Sequence, residues 1–101
     1  MNLKKVLQQY ISLLHKEEYF EAHELLELEW HRHKKLNTPY TNTLKGLINA
    51  AIAFEHIKRD KPKSPRVAKQ AISSYDKRYN SDAIFKDVNV VIKSIRQNMS
   101  I

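Results

Sequence analysis

At 101 residues the chain is long enough to bury one modest core and too short for two, and the absence of cysteine excludes both a disulfide framework and a thiolate metal site. One glycine and three prolines leave a composition dominated by helix formers, so the expected fold is all-α, a single bundle of about five antiparallel helices over residues 1–101. The net charge of +7 is uneven: residues 1–57 hold seven basic and seven acidic side chains, residues 58–101 eleven and four, a bias that raises nucleic acid or another polyanion as partner.

The first helix is expected from the N-cap Asn2 to about Leu14, with Leu3, Val6, Leu7, Tyr10, Ile11 and Leu14 on one face. Gln8, Gln9, Tyr10 and Ser12 break any apolar run that could form a signal-peptide core, and no segment nears the roughly 20 apolar residues that span a bilayer. A cytoplasmic protein with no membrane partner is therefore expected. His15 to Glu18 form a polar break, and the second helix takes Tyr19 to about Arg32, with Glu18, Glu21, Glu29 and Arg32 outward. After a polar segment, Thr38 and Pro39 have the cap and first-turn character that starts the third helix. Leu44 to Ile57 are apolar almost all round, which marks the most buried helix, and Gly46 inside it suits a close approach by another helix.

The proline-containing stretch Lys58 to Arg66 reads as a basic loop, after which Ser64 and Pro65 restart the chain as the fourth helix. Its inner face is expected to use Val67, Ala68, Ala71, Ile72, Tyr75 and Tyr79. Asn80 to Asp82 make a turn, and the fifth helix carries Ile84, Phe85, Val88, Val91, Ile92 and Ile95.

The second helix holds the main site candidates. On a wheel of about 100° per residue with His23 at zero, Leu26, Trp30, Glu27 and Phe20 fall near 300°, 340°, 40° and 60°, which puts His23 and Glu27 inside the apolar stripe. Ionisable groups there need partners. Asn49 and His56 share a face of the third helix and are the natural ones, with Glu24 at the border and Phe20 and Trp30 as walls.

These residues resemble a known family, the helical proteins called domain of unknown function 309. The resemblance rests on Tyr19, Phe20, Glu21, Ala22, His23, Glu24, Glu27 and Trp30, and on a second segment running from Gly46, Leu47, Ile48 and Asn49 to His56. It covers residues 15–57. Asn49 stands where the family pattern has Gln, and Asp60, Lys61 and Pro62 replace its Gly-Asn turn. The resemblance implies a helical bundle that pairs the second and third helices, and it implies no activity.

Three readings of His23, Glu24, Glu27, Asn49 and His56 stand open. They form a structural network, a divalent metal site for zinc or iron built on two His and a carboxylate, or a metal-free acid–base site. As an enzyme the chain would be a hydrolase, with His23 or Glu27 as base and His56 as acid or ligand; otherwise the cluster would bind a small ligand. The string His23-Glu24-Leu25-Leu26-Glu27 fails the zinc-protease pattern because Glu27 replaces its second His. The alternative function uses Lys58, Arg59, Lys61, Lys63, Arg66 and Lys69 against phosphates, although no aromatic residues interleave them. Homo-oligomer formation is a third outcome, with no heptad seam visible to specify it.

Overall fold

The computed structural model describes residues 2–101, which form five α-helices and one 3-10 turn. Helix α1 is Leu3–His15, and the Asn2 side chain accepts from the Lys5 N–H at 2.9 Å, so the expected cap is formed. Helix α2, Tyr19–Leu36, runs a turn further than its polar ending suggested and stops at Asn37, whose φ of 54° is left-handed. Helix α3 is Thr41–Arg59, ended in the same way by Asp60 at φ 53°. It starts after Pro39 rather than at it. Thr38 stays outside and ties the turn: its Oγ1 accepts from the Tyr40 N–H at 3.3 Å and its carbonyl from the Thr41 hydroxyl at 3.1 Å. Lys58 and Arg59 therefore belong to the helix, not to the loop.

Helix α4 is Ser64–Lys77, with Pro65 in its first turn and the buried Ser64 Oγ accepting from the Lys61 N–H at 2.9 Å. The 3-10 turn Ala83–Phe85 leads into helix α5, Lys86–Met99, which ends at Ser100 with φ 59°. No helix among the described residues is long and apolar enough to cross a membrane.

Helix α3 lies at the centre, as its all-round apolar character predicts, packed on one side by α2 and on the other by α4. Tyr19 of α2 meets Phe54 ring to ring at 5.6 Å, and the fully buried Tyr10 of α1 donates its hydroxyl to the Leu47 carbonyl at 2.7 Å. Gly46 serves the α4 side, where an added Cβ would lie 3.0 Å from Arg78 Cβ and 3.5 Å from Tyr75 Cα. Phe85 of the 3-10 turn and Val88 and Ile92 on the inner face of α5 are buried and close the bundle. Helices α4 and α5 stand apart and meet chiefly through side chains.

The phase of α2 differs from expectation. Its buried residues are Tyr19, Ala22, Leu26, Glu29 and His33, a stripe centred about 80° from His23. Phe20 is 45 % exposed and does not wall off anything. Trp30 sits at the edge of the α2–α3 seam with the ammonium groups of Lys34 and Lys45 at 4.9 and 4.7 Å from its ring centre. Neither of these two large aromatics is a core residue: Phe20 is exposed and Trp30 half-buried. The small Ala22 and a paired Glu29 and His33 hold that place instead.

Candidate functional site

Rotating α2 away from the expected phase takes the predicted cluster apart. His23 and Glu27 remain neighbours, with Nε2 and Oε1 3.5 Å apart, but their side chains are 23 % and 40 % exposed and Glu27 also lies 4.0 Å from His31. With the exposed Glu24 they border a shallow depression of about 730 Å³ that residues of α2 alone line. Asn49 points the other way and donates to Ser74 Oγ on α4 at 2.6 Å, an oxygen that also accepts from Arg78 Nη1 at 2.6 Å. His56 is half-buried on α3. Among the described residues no group of three or more His, Asp and Glu side chains is placed to hold a metal ion. The expected set of His23, Glu24, Glu27, Asn49 and His56 between the second and third helices is thus corrected: His23, Glu24 and Glu27 lie along the outer part of α2 and Asn49 turns to α4, because Asn49 and Gly46 share the side of α3 that α4 covers.

A different polar group is buried on α2. Glu29 Oε1 lies 3.1 Å from His33 Nε2 and 3.0 Å from Arg32 Nη2, and His33 Nδ1 shares a 2.6 Å hydrogen bond with Thr38 Oγ1. The Tyr40 ring packs edge-on against both His33 and Phe85. This chain fixes the α2–α3 turn against the core, and its members satisfy one another, which is what a buried polar group requires. Hydropathy places Glu29 and His33 outside. The signal that could have found them is their i,i+4 spacing followed by a Thr-Pro turn.

The polyanion candidates divide. Lys58 donates to the Glu17 carbonyl at 2.8 Å and Arg59 to Glu55 at 2.9 Å, so both are engaged in holding turns and helix ends. Lys61, Lys63, Arg66 and Lys69 are exposed along the loop and the start of α4.

A further concavity has no counterpart in the sequence pattern. Between α4 and α5 lies a cleft of about 950 Å³, lined among others by Tyr75, Tyr79, Lys86, Val90, Lys93 and Arg96. Its base is pinned: the Tyr75 hydroxyl donates to Asn89 Oδ1 at 2.7 Å, Asn89 Nδ2 donates to the Asn80 carbonyl at 2.8 Å, and Asn80 Nδ2 to Thr43 Oγ1 at 3.0 Å. Burial, and after it Tyr79, outweigh the opposing Arg96 guanidinium, with a lesser push from Asp76, and hold the Tyr75 phenol well above its ordinary range, so it stays a donor. Arg96 forks onto Asp76 across the cleft at 2.6 and 3.2 Å. Tyr79 and Val90, 57 % and 61 % exposed, present apolar surface to the opening, and the Tyr79 ring meets Tyr75 edge-on at 6.1 Å. Tyr79 was expected on the inner face of α4; the helix ends at Lys77, before that phase carries it inward.

Residues 7–66 match the family described as Domain of unknown function (DUF309). No curated protein and no solved structure matches the chain. The matched stretch includes the exposed acidic face of α2 and the Glu29–His33–Thr38 group, and every residue lining the α4–α5 cleft lies beyond it.

Proposed function

The chain belongs to the DUF309 family, a description that assigns no activity, and from its geometry we propose a ligand-binding protein whose α4–α5 cleft takes a small anion with an apolar body. The observation that carries this reading is the combination of an apolar opening at Tyr79 and Val90 with Lys86 and Lys93 beside it, in a cleft of about 950 Å³. Concave, mostly apolar sites of roughly 300–1,000 Å³ with a few placed polar groups are the usual form of a small-molecule site. Both oxygens of Asp76 are engaged by Arg96, so the charge facing a ligand is that of the two lysines. The apolar body would cover Tyr79 and Val90, and the anionic group would meet the lysines. Binding rather than hydrolysis is favoured, because no histidine lines this cleft and its one carboxylate side chain, Asp76, is held in an ion pair.

The test uses 8-anilinonaphthalene-1-sulfonate, a planar aromatic sulfonate, with dodecanoate as a displacing ligand. Saturable fluorescence enhancement at one site per chain is expected, together with displacement by dodecanoate. The substitutions Lys86→Glu and Lys93→Glu together should weaken it by about tenfold or more, since two attractive charges become repulsive. Val90→Asp should have a similar effect while the unfolding midpoint stays near that of the native chain. Absence of saturable binding, or binding indifferent to all three substitutions, would refute the proposal.

A further inference from the structure

Helix α2 carries a stripe that covers no other element. Glu21, Glu24, Leu28, His31 and Lys35 follow one another at alternating steps of three and four residues and are all exposed. That alternation is the 3.5-residue period of a seam between two helices, and it does not show in the hydropathy pattern because Leu28 is its one apolar member. Leu28, at 76 % exposure, is the most exposed of the large hydrophobic residues and sits at the centre of the stripe. The charge changes sign there: both ionisable residues before it are acidic, and both after it are basic or His. In a chain of net charge +7, six of the eleven acidic residues fall within residues 17–29.

We infer that this stripe pairs α2 with α2 of a second copy of the chain, antiparallel, about a two-fold axis through Leu28. In that arrangement Leu28 meets its own counterpart, Glu24 meets His31 of the second copy, and Glu21 meets Lys35 of the second copy. The two-fold makes each contact occur twice, as an isologous interface requires. A parallel pairing would set Glu against Glu and Lys against Lys, so charge selects the antiparallel direction. The seam spans about 21 Å at 1.5 Å per residue, one helix against one helix. It is smaller than a standard stable interface, so the dimer is weak, concentration-dependent and sensitive to salt. The same contact covers the depression that His23, Glu24 and Glu27 border, which gives the family-matched part of α2 a partner. The inference uses a different face from the α4–α5 cleft and stands independently of it.

Sedimentation equilibrium of the full chain over a concentration series at low ionic strength tests it. A monomer–dimer equilibrium is expected, weakened about tenfold or more by high salt and abolished by Leu28→Asp. Two charge variants then fix the geometry: E21K/E24K makes the seam basic throughout, and H31E/K35E makes it acidic at both ends. Each should be monomeric alone with native helicity by circular dichroism, and their equimolar mixture should form a heterodimer. A native chain that stays monomeric at millimolar concentration overturns the inference and leaves the stripe to another partner. So does either charge variant self-associating like the native chain, or a mixture of folded variants that remains monomeric.

Discussion

Replacing Gly46 by alanine sets two effects of opposite sign against each other. Within a helix the change is favourable by about 1 kcal/mol, because alanine gives up less backbone freedom on folding. Against this, the new methyl would stand 3.0 Å from Arg78 Cβ and 3.5 Å from Tyr75 Cα. Non-bonded carbons prefer roughly 3.5–4.0 Å, so the nearer contact is about half an ångström too short. Arg78 Cβ is fixed to the backbone and cannot swing aside like the end of a side chain, so α3 and α4 must separate. Overpacking of this kind costs about 1–3 kcal/mol, which leaves a net loss of roughly 1 kcal/mol. In a domain of this size that lowers the melting temperature by about 4–8 °C. Urea unfolding followed by circular dichroism should show an earlier midpoint at unchanged slope. Gly46→Val should lose more, since it adds bulk and has poorer helix propensity than alanine. A gain of stability close to the full propensity value in Gly46→Ala would refute the view that this glycine sets the α3–α4 spacing.

Tyr10→Phe removes the hydroxyl that satisfies the Leu47 carbonyl and should cost about 1–2 kcal/mol, measured by the same urea titration. Burial, with a smaller effect of Tyr75, holds the Tyr10 phenol well above its ordinary 10.0, so above that pH the folded chain keeps a proton that the unfolded chain releases. Stability from this group is therefore full below about pH 10 and declines as pH rises beyond it, and Tyr10→Phe should soften that alkaline decline. His33→Ala leaves Glu29 with Arg32 alone and should destabilise by about 1–3 kcal/mol; a change under about 0.5 kcal/mol would mean that the turn does not depend on the network. A chelator should leave the unfolding midpoint unchanged, and stabilisation by zinc that His23→Ala removes would contradict the placement of these side chains.

Much of the architecture was legible from residue spacing. The apolar periodicity of α1 and α5, the all-round burial of α3 and the packing use of Gly46 follow from pattern and propensity, and the structure has each of them. The direction of α2 was not legible, because a wheel ranks Phe20 and Trp30 above Ala22, whereas packing against α3 selects the small residue. Glu29 and His33 were hidden because a charged pair with complementary partners can be buried, and hydropathy scores each residue as if alone. Asn49 and His56 were rightly placed on one helix, but periodicity cannot say which neighbour that helix presents them to. The α4–α5 cleft depends on how far two helices diverge, and no local pattern encodes that separation.

The single glycine is spent on helix contact, so the positions that need left-handed backbone fall to residues with a Cβ: Glu17, Asn37, Asp60 and Ser100, at φ of 53° to 59°. Such a residue gives up about 1–2 kcal/mol relative to glycine, less for Asn and Asp. The strain is thus gathered at the joints between helices and at the end of α5, while the rods themselves are relaxed. Hydrogen exchange should find these joints opening well before the helices they connect, with the amides around Glu17 losing protection ahead of those in α3. The chain therefore has an untapped reserve of stability in its joints, open to small changes that leave every packed face as it is.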